Sequence, residues 1–255
     1  MLSKDFIETT AVFTTKGYLE SCGNTQAHRN LLNRSVRAGK ALKIKQGLYA
    51  SNAGKYRDYI HSYYSIVKVA DQNAILCYNS AYELFVGQHN IISTTTFFTN
   101  TNLRSFEFQG HEYRGFPFLK EDLQTRGYRQ LDGSVVKGTT PEQTIIDSLT
   151  KPDRCFGIEN VLRILSTLDR INSMELINLL SDETSPVRAR VGWVLEQKRE
   201  IWHISDESIA QLQENLDNGP FYFTPDHKRA KGAYSSKWHL YFPEPLTTIE
   251  DWING

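Results

Sequence analysis

Between Thr25 and Ala50 the chain carries its own punctuation. Thr25 has a side-chain oxygen that can accept from the free N–H groups of a helix start, and Gly39 supplies a residue that ends a helix in the left-handed conformation. Leu42 and Ile44 then alternate with Lys43 and Lys45, the period of a strand with one face covered. Gln46-Gly47 makes a tight turn, and Leu48-Tyr49-Ala50 returns. A capped helix running straight into so short a hairpin leaves few folds open. Upstream, residues 3–9 suit a first short helix. Phe13-Thr14-Thr15 ends a strand and caps a second helix over 15–22, and Gly23-Asn24 is a turn. Helix, helix, turn, helix and hairpin together predict a winged helix-turn-helix over residues 1–54.

Charge gives that segment a direction. No acidic residue lies between Glu20 and Asp58, while Arg29, Arg34, Arg37, Lys40, Lys43, Lys45, Lys55 and Arg57 bring +8. The chain as a whole is neutral, with 29 basic and 29 acidic residues, so everything else carries −8. One end is built to meet a polyanion and the other is not.

The third helix, extending to about Ala38, divides into two arcs at about 100° per residue. His28, Leu31, Leu32, Ser35 and Val36 form the arc expected to pack on the other two helices. Gln26, Asn30, Asn33 and Arg37 lie opposite, flanked by Arg29 and Arg34. Amides suit adenine edges, and guanidinium groups suit guanine or phosphate. Gln26, Arg29, Asn30 and Asn33 are therefore the candidate base contacts, and Arg34, Arg37, Lys43 and Lys45 the candidate phosphate contacts. The plain alternative, a merely solvated face, is disfavoured by an acid-free run of this length beside a matching hairpin. His28 and Tyr49 read as structural.

The remaining residues, 55–255, predict a larger mixed domain, which makes the fold class α+β. A tyrosine-rich helix is expected over 55–71 and a short one over 80–86. The pattern turns to strands between Ile91 and Phe118, around Gly110, with another at Val135-Val136. Thr140-Pro141-Glu142-Gln143 is a helix start with cap and Pro at the first position. Helices follow at about 141–149, 157–168, 173–180, 187–200 and 205–215. Two strands from Phe221 to Phe242 flank a loop that holds the basic residues His227, Lys228, Arg229 and Lys231, to which no role is assigned.

The chain resembles the AbiEi family, the antitoxin and repressor members of bacterial abortive-infection (type IV) toxin–antitoxin systems. The likeness runs through the residues from Val36 to Tyr49, then Asn79-Ser80-Ala81-Tyr82, then the segment from Thr140 to Asp147. It continues through Arg190-Val191-Gly192-Trp193-Val194-Leu195-Glu196 and closes on Tyr222-Phe223-Thr224-Pro225, Gly232 and Trp238-His239-Leu240. Gln197-Lys198-Arg199-Glu200 departs from the family's short apolar link. The resemblance implies an autorepressor that binds inverted repeats of its own promoter as double-stranded DNA. It implies a second domain that opposes a nucleotidyltransferase-like toxin, without a stable complex between the two.

Other chemistries fare worse. Cys22, Cys77 and Cys155 form no redox or metal pair, and the seven histidines are scattered, so no metal or cofactor is expected. Pro152-Asp153 with Glu196-Gln197-Lys198 has the residue types of a metal-dependent nuclease, but Glu196 and Lys198 fall inside a helical pattern, where that site needs strands. A nuclease guided by the winged helix, or a module that seizes the toxin directly, remain the alternatives to a non-enzymatic repressor. Arg188, Arg190, Lys198 and Arg199 on one predicted helix form a possible secondary nucleic-acid surface, against the preferred reading of a solvated helix paired with local acids. No apolar run approaches the ~20 residues that span a bilayer, and MLSKDFIETT lacks the apolar core of a signal peptide. The expectation is a cytoplasmic bacterial protein with no membrane partner, associated with the nucleoid when bound.

Overall fold

The computed structural model describes residues 2–87, 93–101, 103, 105–130, 133–224 and 232–255. Its architecture is α+β, with three separate sheets among those residues. Two compact units divide the chain: Met1–Leu76 with Ile92–Phe118 and Gly127–Lys137, and Cys77–Ile91 with Leu119–Arg126 and Gly138–Gly255.

The first unit begins with α1 (Ser3–Thr9), β1 (Val12–Thr14), α2 (Thr15–Cys22), α3 (Gln26–Arg37), β2 (Ala41–Lys45) and β3 (Leu48–Ser51). Thr14 and Thr25 cap α2 and α3 with their hydroxyls, which accept from Gly17 N (3.0 Å) and His28 N (3.3 Å). Gly39 and Gly47 sit at φ +68° and +79°, where a side chain would strain the backbone at the helix exit and the hairpin turn. The strands join in the order β1-β3-β2, antiparallel throughout. A bulge between Lys43 and Lys45 lets Ala41 and Ile44 both face inward, so strict alternation fails there. Phe6, Phe13 and Tyr18 form the centre of this core, with edge-to-face rings at 5.4 and 5.5 Å.

A 3-10 turn at Gly54–Tyr56 follows, then α4 (Tyr63–Ala70), β4 (Ile75–Leu76), β5 (Thr94–Phe98), β6 (Phe106–Phe108), β7 (His111–Phe116), β8 (Thr125–Arg129) and β9 (Val135–Thr139). These six strands form one mixed sheet, ordered β6-β7-β5-β4-β9-β8. Strand β5 pairs parallel with β7 and antiparallel with β4, and every one of its residues is buried. The helix expected over 55–71 forms only in its second half, as α4. Asp58 takes φ +56° and gives its N–H to Asn52 Oδ1 (2.9 Å), so the chain cannot continue a helix there. It restarts where Ser62 caps α4.

The second unit holds α5 (Tyr78–Phe85), α6 (Pro141–Thr150), α7 (Ile158–Ser166), α8 (Ser173–Leu180), α9 (Ser185–Gln197), α10 (Arg199–Trp202) and α11 (Asp206–Glu214). It ends with β10 (Phe221–Tyr222), β11 (Tyr234–Ser235), β12 (Leu240–Tyr241) and α12 (Leu246–Asn254). Its axis is α9, buried on nearly all sides. The helix expected over 187–200 breaks at Lys198, and the two expected tail strands are three short ones. Helix α12 and strands β4 and β8 carried no recognised signal. Trp238 lies fully buried over Gly192, which has no Cβ to hold the ring off the helix.

Candidate nucleic-acid interface

Helix α3 buries one residue, Leu32, against the first core. Gln26, Arg29, Asn30, Asn33, Arg34 and Arg37 are all exposed. They form a face of amide and guanidinium groups without a carboxylate, and the first turn of α3 holds no acid. Gln26 Nε2 donates to Asn30 Oδ1 (3.2 Å) and Arg29 Nη2 to Asn24 Oδ1 (3.1 Å), which order these side chains along the helix. The amides so placed can both donate and accept, while the guanidinium groups only donate.

The hairpin contributes less than its composition suggests. Lys43 is exposed. Lys45 instead lies over the Phe106 ring, 5.2 Å from its centroid, and burial lowers its pKa. Phe106 is itself stacked on Tyr113 at 4.5 Å. Pairing at this distance is invisible in the sequence, because the two residues are far apart along the chain.

His28 is half-buried, with Nδ1 within 2.9 Å of Thr25 Oγ1 and its ring packed over Gly23, as a structural histidine should be. Tyr49 stacks on Phe13 at 5.7 Å.

The second basic cluster is not a surface. Arg190 is buried, with Nε donating to Tyr222 O (2.7 Å) and Nη1 to Leu149 O (3.2 Å), and burial lowers its pKa to about 10. Lys198 is 2 % exposed and donates to Ser166 O at 3.1 Å. Arg188 Nη2 donates to the Ser185 hydroxyl (3.2 Å), and Arg199, on α10, pairs with Asp206 and Glu200. Arg190 ties two backbone carbonyls together, Lys198 is held on one, and the other two cations are engaged locally. The loop of His227, Lys228, Arg229 and Lys231 lies outside the described residues.

Two of the nuclease-like residues, Glu196 and Lys198, are likewise engaged in structure, while Asp153 is exposed. Glu196 accepts from Trp238 Nε1 at 2.6 Å and pairs with Lys237, and Lys198 is spent on Ser166. Among the described residues no group of three or more His, Cys, Asp or Glu could hold a metal ion. The three cysteines are free thiols. No helix among the described residues is long and apolar enough to cross a membrane.

One feature of the second unit escaped the sequence reading. Helix α6 buries Glu142, Gln143 and Asp147 along with its apolar residues. Gln143 Nε2 donates to Asp147 Oδ1 (2.9 Å), Glu142 Oε1 accepts from Asn172 N (2.6 Å), and burial pushes the Asp147 carboxyl up to about 7. The first contact lies within α6, and the second ties α6 to Asn172, the residue that caps α8.

No family model matches the chain, and no curated protein matches it. The fold is similar to the crystal structure of the RV2827C protein from Mycobacterium tuberculosis, at 15 % identity and a TM-score of 0.68, over 99 % of this chain and 93 % of that one. The likeness is one of fold.

Proposed function

We propose that the protein is a sequence-specific DNA-binding autorepressor and the antitoxin of a type IV abortive-infection pair, acting in the bacterial cytoplasm without catalysis. In this reading α1 to α3 and the β2–β3 hairpin serve as a winged helix-turn-helix, with α3 as recognition helix. Gln26, Arg29, Asn30 and Asn33 read bases, while Arg34, Arg37 and Lys43 hold phosphates. The observation that carries it is the outer face of α3, where six polar and cationic side chains stand exposed in a stretch with no acid from Glu20 to Asp58. The antitoxin half rests on the AbiEi resemblance, which assigns opposition to a nucleotidyltransferase-like toxin to residues 55–255.

The test is a gel-shift titration with DNA from immediately upstream of the gene, against a scrambled duplex, at two salt concentrations. Tight binding to the upstream DNA that weakens with salt is the expected result. Equal, weak binding to both duplexes would leave only charge attraction and sink the repressor role. Loss of binding to the operator but not to random DNA is expected for Asn33→Ala, because a base contact carries ~1–3 kcal/mol of discrimination.

A further inference from the structure

The inward arc of α3 is not filled. His28 and Ser35 are only half-buried, and Leu31, on the same arc, is 39 % exposed. Helix α1 is only seven residues long and leaves part of that arc open. Between the two helices lies a cavity of about 560 Å³. Ile7, Leu31 and Ala53 give it apolar walls, and Cys22, His28 and Ser35 line it as well. That volume and that balance of walls and polar groups suit a small organic ligand.

Charge at the rim narrows the class. Lys4, Glu8 and Lys40 also line the cavity. Glu8 is taken by Lys4 at 3.8 Å, whereas Lys40 pairs with no carboxylate among the described residues. The side chains at the rim therefore leave one net positive charge, which suits a carboxylate. We propose that this cavity binds an amphipathic monocarboxylate, its apolar body against Ile7 and Leu31 and its carboxylate at Lys40, and that occupancy shifts DNA affinity. The second clause rests on the reading of α3 as recognition helix. His28, Leu31 and Ser35 are on the same helix as Arg29, Asn30 and Asn33, so an occupant pushes on the reading face from behind. Linkage requires the converse effect of DNA on the ligand.

Cys22 provides the readout. It lines the cavity and is half-buried, whereas Cys77 and Cys155 are buried and serve as internal controls. The full-length protein is alkylated with iodoacetamide and each cysteine followed by peptide mass, with decanoate as probe and decanol as its uncharged counterpart. Decanoate should slow Cys22 alkylation at least fivefold, at concentrations where decanol does nothing, and leave the other two thiols unchanged. Lys40→Gln, an exposed turn substitution, should erase the preference for decanoate. Leu31→Trp, which fills the cavity from an exposed position, should protect Cys22 without any ligand. No protection by decanoate, or equal protection by decanol, overturns the site. Protection that follows protein concentration instead of decanoate assigns the cavity to a second copy and overturns it too.

Gel shifts in parallel separate the two readings. An operator affinity that moves at least threefold with decanoate in the native protein, and not in Lys40→Gln, supports the coupling. Protection of Cys22 with no change in operator affinity refutes it and leaves the site. Protection without any operator binding refutes the DNA reading and the coupling together, while tight operator binding without protection refutes the site alone.

Discussion

Lys43 and Lys45 are two residues apart on one strand, and they should behave differently on DNA. A lysine that neutralises one phosphate changes the slope of log K against log salt by about 0.9. At about 0.1 M salt that amounts to nearly one decade in affinity, or ~1.2 kcal/mol. Lys43 is exposed and should contribute the whole of it. Lys45 has to leave the face of Phe106 first, where it sits 5.2 Å from the centroid and is already partly desolvated. A cation over an aromatic ring at a partly exposed site is held by ~0.5–1 kcal/mol. The difference leaves Lys45 a net gain of only ~0.2–0.7 kcal/mol from any phosphate, less than about threefold in affinity. Titrating Lys43→Ala and Lys45→Ala against the operator at four or more salt concentrations gives both quantities. Lys43→Ala should weaken binding about eightfold and flatten the slope by about 0.9. Lys45→Ala should weaken binding less than about threefold, flatten the slope by less than Lys43→Ala does, and lower thermal stability slightly. If Lys45→Ala flattens the slope as much as Lys43→Ala, the ring contact does not hold the ammonium and the reasoning fails.

The second unit offers three tests. Gly192→Ala would put a Cβ 2.2 Å from Cζ3 of the fully buried Trp238, so helix or ring must give way, at a cost of ~3 kcal/mol or more; denaturant unfolding followed by tryptophan fluorescence measures it, and a loss below about 0.5 kcal/mol would show that the ring moves freely. Arg190→Ala leaves the carbonyls of Tyr222 and Leu149 without their donor, so stability should fall by ~3 kcal/mol while the salt slope of operator binding stays put, whereas a changed slope would return Arg190 to the DNA surface. Asp147 titrates near 7 in the folded chain against an ordinary 3.8, because burial disfavours the carboxylate. The folded state then holds a proton that the unfolded state has lost, so this contribution is complete below about pH 4 and is lost as pH rises through about 7, a span of up to ~4 kcal/mol. Unfolding at pH 5 and pH 8 should show that decline in the native protein and much less of it in Asp147→Asn; identical pH dependence in the two would remove Asp147 from the account.

The bounds of α2, α3 and the hairpin were legible nearly to the residue because their causes are local. A threonine caps, a glycine turns, and neither needs a distant partner. The first half of the helix expected over 55–71 failed for the opposite reason. Tyr56, Tyr59 and Tyr63 have helical spacing, but Asn52 captures the N–H of Asp58 and turns the chain at positive φ, a competition between neighbours in space. The exposed polar face of α3 was also legible, since cations without acids nearby stay where composition puts them. What was not legible was the destination of a long side chain: Lys45 reaches a ring on another strand, and its composition matches that of Lys43.

The basic residues spread over α9 and α10 show where a usable signal lay. Val187, Ala189, Val191, Trp193, Val194 and Leu195 are all buried, and they fall on every side of the helix. Such a helix has no polar stripe and must be enclosed. A cation inside that pattern cannot be solvated, so its stem has to carry the charge to backbone acceptors, which is what Arg190 does at Tyr222 and Leu149. The same logic reaches α6, where Glu142, Gln143 and Asp147 share a helix with Ile145, Ile146 and Leu149, all of them buried. Helix α3 is the converse, burying one residue of twelve. The sign of a charged residue gives its chemistry, but the apolar pattern of the whole helix decides whether that chemistry faces a partner or the core. On that criterion the basic residues of α3 are available to a polyanion and Arg190 on α9 is not, even though both helices are rich in arginine.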